Sequence, residues 1–207
     1  MAVLANGQLL IAGGMASWDI AEGGNFLCTA EVLSPDGWVL TGPMSVPRAR
    51  AVAASTESGF VIIAGGEKSE FEALHSAEIW DPGTGVWNSL PEMACARRAP
   101  AGAIMHGNGE SERFVVLGGE DRFAHGRMDA EAFDLATGIW EPWAGCDTAI
   151  GPDGGAAVAV AGSLIVCGAD AGQRTRLFDS DSKRWFTLAH QMSAQRQKTA
   201  LVLLWQY

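Results

Sequence analysis

The chain has 207 residues, 48% of them hydrophobic and 18% charged, a globular balance that excludes a disordered chain. A net charge of −10 with no run of Lys or Arg excludes the basic face on which binding to DNA, RNA or an anionic membrane depends. The 26 glycines and eight tryptophans, set among short apolar runs, predict an all-β fold of many short strands joined by tight turns.

In chain order the same pattern comes round four times, in units of about 1–45, 46–96, 97–150 and 151–195, followed by a terminal strand at 196–207. Unit one carries LLIAGG ending at Gly13-Gly14, an insert MASWDIAEGGNFLCTA with Trp18 and Phe26, then AEVLSPDG, Trp38 and the connection PMSVPRAR. Unit two opens with AVAAS and carries FVIIAGG ending at Gly65-Gly66, KSEFEALHS with Phe71, AEIWDPGTG, Trp87 and PEMACARR. Unit three has AGAIM, FVVLGG ending at Gly118-Gly119, DRFAHGR with Phe123, AEAFDLATG and Trp140; its connection, WAGCDTAIGPDGG, has lost the Met-and-Arg pattern. Unit four is weaker: GAAVAVA, LIVCGA ending at Gly168-Ala169, TRLFDSDSK, Trp185 and QMSAQRQK.

The first glycines stand at 13, 65, 118 and 168, spacings of 52, 53 and 50 residues. A fixed period in this range marks a repeat architecture. Each unit reads as strand a of small residues, strand b ending in Gly-Gly, strand c with an acid, and strand d with the tryptophan. Four strands per unit make one propeller blade. The diglycine is expected to supply positive φ and close backbone approach. The tryptophan is expected to supply apolar area for packing between sheets.

The diglycine, the AE-[VIA] segment with its turn and tryptophan, and the M-x-x-x-R connection (Met44 to Arg48, Met93 to Arg97, Met192 to Arg196) together resemble the kelch repeat. The resemblance spans essentially the whole chain. It departs at the tyrosine frequent in kelch strands, where this chain has Leu33, Trp80 and Phe133. It implies a kelch-type β-propeller of four blade-length repeats. Either residues 199–205 close a four-bladed ring, or the blades are an incomplete ring, completed by further blades or by self-association.

By the same resemblance, the loops after strand b and between strands d and a line one rim of the propeller. That puts Arg50, Arg98 and Lys198 at a pocket, with Glu67, Glu120 and Asp170 opposite and the loop aromatics Trp18, Phe71 and Phe123 near it. A ring of Arg and carboxylates can grip a charged peptide. It can equally be a set of charges that pair with one another across loops. Arg48, Arg97 and Arg196 are expected to tie the d–a loops to backbone carbonyls.

The constellations of catalysis are missing. His75, His106, His125 and His190 lie in different units without metal-ligand spacing, and no G-x-S-x-G or phosphate-binding loop occurs. The four cysteines, Cys28, Cys95, Cys146 and Cys167, form no C-x-x-C pair. No catalytic residue, cofactor or metal is therefore expected. The chain start lacks the charged and apolar regions of a signal peptide, which leaves the cytoplasm as the expected compartment. Kelch resemblance implies a protein-binding adaptor or scaffold in the style of F-box and BTB proteins, where the propeller selects a target for ubiquitin ligation. The alternative it carries is a sugar isomerase like the sialic-acid mutarotases. A galactose-oxidase-like copper centre is excluded by the single tyrosine, Tyr207.

Overall fold

The structure is a computed structural model that describes residues 1–19, 23–70, 72–106, 111–143, 155–167 and 175–189. Every regular element among them is a strand. The chain divides into two compact units, Met1–Arg98 and Ala99–Tyr207.

The first unit holds two blades. Blade one is a four-stranded sheet of β1 (Ala2–Val3), β2 (Leu9–Ala12), β5 (Ala30–Ser34) and β6 (Gly37–Leu40) in that order. Between β2 and β5, the insert read from sequence as a loop folds into a separate hairpin, β3 (Met15–Asp19) with β4 (Gly23–Phe26). Blade two is β7 (Val52–Ser55), β8 (Val61–Ala64), β9 (Ala77–Asp81) and β10 (Val86–Leu90), each paired antiparallel with the next.

The second unit repeats the plan. Blade three is β11 (Ala101–Met105), β12 (Arg113–Leu117), β13 (Ala130–Asp134) and β14 (Ile139–Pro142). Blade four is β15 (Ala156–Val160), β16 (Ser163–Cys167), β17 (Thr175–Asp179) and β18 (Arg184–Thr187). Strands a, b, c and d of the sequence therefore follow one another as simple meanders. Gly168, Phe71, Asp170, Lys198 and the terminal strand at 196–207 lie outside the described residues, as does the pairing of 199–205.

Local chemistry sets the hairpins between strands c and d. Asp81 closes the β9–β10 turn by accepting from the Gly83 N–H at 2.8 Å and the Thr84 hydroxyl at 3.0 Å. Asp134 does the same for Ala136 and Thr137, and Asp179 for Ser182. Such Asx turns let the side chain stand in for a backbone partner. In unit one Ser34 takes the place, donating to the Gly37 carbonyl at 2.8 Å.

The diglycines behave as their position requires. Gly13 and Gly14 have φ of 68° and 102°, Gly65 and Gly66 of 65° and 89°, and Gly118 and Gly119 of 60° and 83°. At Gly13 a Cβ would also overlap the Arg48 carbonyl oxygen, and at Gly66 the Ala49 carbonyl oxygen. Both the dihedral and the close approach demand glycine.

Each unit has its own apolar core. In the first, Ala2, Leu4, Leu10, Ala30 and Met44 pack with Val61, Ile63, Trp80 and Trp87. In the second, Val115, Leu117, Leu164, Val166 and Phe178 form the centre, with Trp185 against it. Trp80, at one of the positions where kelch strands often carry tyrosine, is 4% exposed and donates Nε1–H to the Thr41 hydroxyl at 3.1 Å. The strand-d tryptophans are not equivalent. Trp87 packs between the two blades of its unit as expected, but Trp140 stacks on Phe133 of its own blade at 5.3 Å. Trp38 is 46% exposed, so the expectation of inter-sheet packing fails there: the face of blade one that carries it meets no other sheet within its unit.

Candidate functional site

The connection from blade one to blade two is anchored by Arg48, whose side chain is fully buried. Its guanidinium donates to the carbonyls of Gly65 (3.0 Å) and Ser76 (3.1 Å), to the Ser76 hydroxyl (3.2 Å) and to Glu78 (2.7 Å). Burial pulls Arg48 below the ordinary guanidinium value, while the hydrogen bond and the charge of Glu78 oppose that shift. Ties to backbone carbonyls were expected of the repeat arginines. The carboxylate partner on strand c was not. It was legible as the acid of the AE segment, which recurs in step with the arginine.

Two residues on, the backbone of Arg50 adopts φ of 52°. Ala99, at the same place after the next repeat arginine, has φ of 50°, so this left-handed step belongs to the repeat and not to Arg50 alone. Between them in function stands Glu67, the first residue after the second diglycine. Its N–H and carbonyl both bond to Ala49 at 2.9 Å, and it bridges to Ala73 on its other side. This double tether fixes the Glu67 carboxylate, 8% exposed, beneath two guanidinium groups. Arg50 Nε lies at 3.3 Å and Arg98 Nη1 at 3.5 Å. Arg98 also reaches the Glu70 carbonyl at 3.4 Å.

These residues line a concavity of about 670 Å³, with Ala49 and Glu70 in its wall and Met15 and Phe26 of the β3–β4 hairpin as its apolar side. Two guanidinium groups share this wall with the buried Glu67 carboxylate and the exposed Glu70. Arg98 is 16% exposed, whereas Arg50 is 46% exposed and meets Glu67 through Nε, with no other ion pair among the described residues. Arg50 therefore presents the rest of its guanidinium at the open side. Such a group suits an incoming carboxylate, which a guanidinium holds in a two-pronged geometry.

Of the residues expected at a pocket, the structure brings Arg50, Arg98 and Glu67 together and adds Met15, Phe26 and Glu70. Phe26 was singled out in sequence as a loop aromatic and Met15 as the residue that opens the first rim loop; Glu70 was not. The backbone of Trp18 lies in β3. Glu120 lies in the second unit, half-buried, in a bridge with Gly126. Phe123 is 64% exposed, with the Arg122 guanidinium 4.6 Å from its ring centre.

No protein-family model matches the chain. The F-box/kelch-repeat protein At1g80440 of Arabidopsis thaliana is 36% identical over 91 residues, covering 43% of this chain and 24% of that protein. The F-box/kelch-repeat proteins At2g44130 and SKIP20 of the same plant are 33% and 35% identical over 105 and 100 residues. Those matches take in 50% and 47% of this chain, and 25% and 23% of the relatives. The chain spans about a quarter of the length of the curated relatives it matches. The solved structure of YjhT superposes with a TM-score of 0.72 over 94% of this chain and 71% of that one, at 14% identity, which speaks for the fold alone. With four sheets of identical strand order and diglycines in the left-handed region, the chain has the fold of a kelch-type β-propeller with an incomplete ring, and half of it or less is similar in sequence to F-box/kelch-repeat proteins.

Proposed function

We propose that the chain is a protein-interaction module that receives an acidic segment of its partner in the Arg50–Glu67–Arg98 concavity, as substrate receptor or adaptor. The observation that carries this reading is the buried Glu67 carboxylate held between two arginines, which leaves the Arg50 guanidinium at the open side next to Phe26 and Met15. A charged anchor beside an apolar wall is a frequent composition of binding hot spots. The relatives bearing the F-box/kelch-repeat name support a finer form, in which the propeller selects targets for ubiquitin ligation. A cytoplasmic location accords with that form, and among the described residues Cys28, Cys95 and Cys167 are in no disulfide.

The same arrangement supports a second reading, a sugar isomerase of the mutarotase type, because a carboxylate-bearing sugar also offers an anion to Arg50. Affinity capture followed by mass spectrometry, run in parallel with titration of sialic acid, separates the two. The adaptor reading expects a protein captured by the parent chain and lost with Arg50→Ala at unchanged melting temperature. Capture that is indifferent to Arg50→Ala sinks the pocket assignment. Sialic-acid turnover by the parent chain would replace the adaptor reading with the second one.

A further inference from the structure

Two charged groups on the Arg50 concavity are left unmet, and they have opposite sign. Arg50 meets Glu67 through Nε alone, at 3.3 Å, so its terminal nitrogens make no hydrogen bond or ion pair among the described residues. Glu70 lies in the same wall and is exposed. Its backbone carbonyl accepts from Arg98 Nη1 at 3.4 Å, whereas its carboxylate has no partner among the described residues.

The groups that could neutralise them are committed elsewhere. Glu67 is shared between Arg50 and Arg98, at 3.3 and 3.5 Å. Lys68, the cation nearest to Glu70 in sequence, pairs with Glu72 at 2.6 Å. The loop itself is held in shape, because the Lys68 N–H donates to the Glu72 carbonyl and the Glu72 N–H to that of Ser69. Along the wall the order is Arg50, Glu67, Arg98, Glu70, with unmet guanidinium nitrogens at one end and an unmet carboxylate at the other.

These four side chains sum to no net charge. A phosphate or a run of acids at Arg50 would set its surplus negative charge against Glu67 and Glu70, and against the −10 of the whole chain. Salt screens distant charges beyond about 8–10 Å, so the two carboxylates of the wall decide. A ligand of mixed charge avoids that repulsion and meets both unmet groups. In an extended segment, residues i and i+2 point to one side, about 7 Å apart, and the residue between them points to the other. Acid and base can then reach Arg50 and Glu70 while an apolar side chain between them turns to Met15 and Phe26.

We infer that the segment received here carries an acid and a base two residues apart with an apolar residue between them, and that Glu70 selects the base. This rests on the reading of the concavity as a protein-binding site and adds to it a specificity-determining residue.

The test uses displayed random heptapeptides, selected on the parent chain, on Arg50→Ala and on Glu70→Gln. The strongest peptide is then titrated by fluorescence anisotropy. The parent chain is expected to enrich acid–apolar–base in either direction, and Glu70→Gln to keep the acid and lose the base. Replacing the base of the peptide by Ala is expected to weaken binding to the parent chain about five-fold, the size of one exposed ion pair, and to leave binding to Glu70→Gln unchanged. Glu70→Lys is expected to turn the preference to two acids. Enrichment of acids alone, or a base whose removal costs the same on the parent chain and on Glu70→Gln, would overturn the inference and leave the acidic-segment reading standing. Selection indifferent to Arg50→Ala would remove that reading, and the inference with it.

Discussion

Arg48 and Glu78 form a fully buried ion pair at 2.7 Å that locks the connection leaving blade one onto strand c of blade two. The arginine has further donors engaged by two backbone carbonyls and a hydroxyl, with only Nε left without a partner, so the pair is one part of a buried polar network inside an apolar unit. Removing one partner leaves a buried charge uncompensated, at a cost of about 3–5 kcal/mol. Arg48→Ala and Glu78→Gln are each expected to lower the urea midpoint steeply. Arg48→Lys is expected to recover little, because an ammonium cannot make the planar fork. The double variant Arg48→Met/Glu78→Leu is expected to lose less than the sum of the two single losses.

Trp87 and Trp38 occupy the same repeat position in opposite surroundings. Trp87 is 8% exposed inside the core of its unit, and Trp87→Ala is expected to cost about 3–5 kcal/mol. Trp38→Ala, at 46% exposure, is expected to stay within about 0.5 kcal/mol in chemical denaturation. Equal losses for the two would mean that the open face of blade one is covered in solution.

Glycine at the end of strand b is required twice over. Gly13→Ala combines a left-handed residue, about 1–2 kcal/mol, with an overlap on the Arg48 carbonyl oxygen that backbone alone must relieve. Gly138→Ala has φ of 70° and open space around the new Cβ, so only the dihedral cost remains. Thermal melts are expected to rank Gly13→Ala clearly below Gly138→Ala.

Asp134 connects unfolding to acid. The hydrogen bond from the Ser111 hydroxyl at 2.8 Å holds its carboxyl below the usual range, aided by the N–H groups of Thr137 and Ala136 and by Arg113, with partial burial opposing. A folded-state pKa below the unfolded one means stability that is fully present above the ordinary aspartate value, near 3.9, and lost as pH falls through the depressed one. Asp134→Asn and Ser111→Ala are therefore expected to flatten the fall in stability below about pH 4, read from denaturation midpoints across pH.

Glu67 sets the order of effects in the concavity. Arg50→Ala removes a half-exposed pair and is expected to cost under about 1 kcal/mol, whereas Glu67→Ala leaves Arg98 and Arg50 facing each other without their shared carboxylate and is expected to cost more. Melting temperatures of the two variants give the ranking.

Repeat and blade were readable because both are local. The period of diglycines, the turn-closing Asp81 and Asp134, and the tryptophan one or two residues past each turn follow from chemistry within ten residues of chain, and the strands a to d formed where that chemistry put them. The arginines at 50 and 98 and the carboxylate at 67 could be named in sequence for the same reason, since each sits at a fixed step from its glycine or repeat arginine. What depended on tertiary structure is everything decided between sheets. Glu78 becomes the partner of Arg48, Met15 and Phe26 become a wall, and Trp87 is buried while Trp38 is open, because each outcome is set by what the neighbouring sheet brings to that face. Pairing across thirty residues, and burial against another blade, leave in the sequence only the residue type and its strand parity; the contact itself exists once the sheets are stacked.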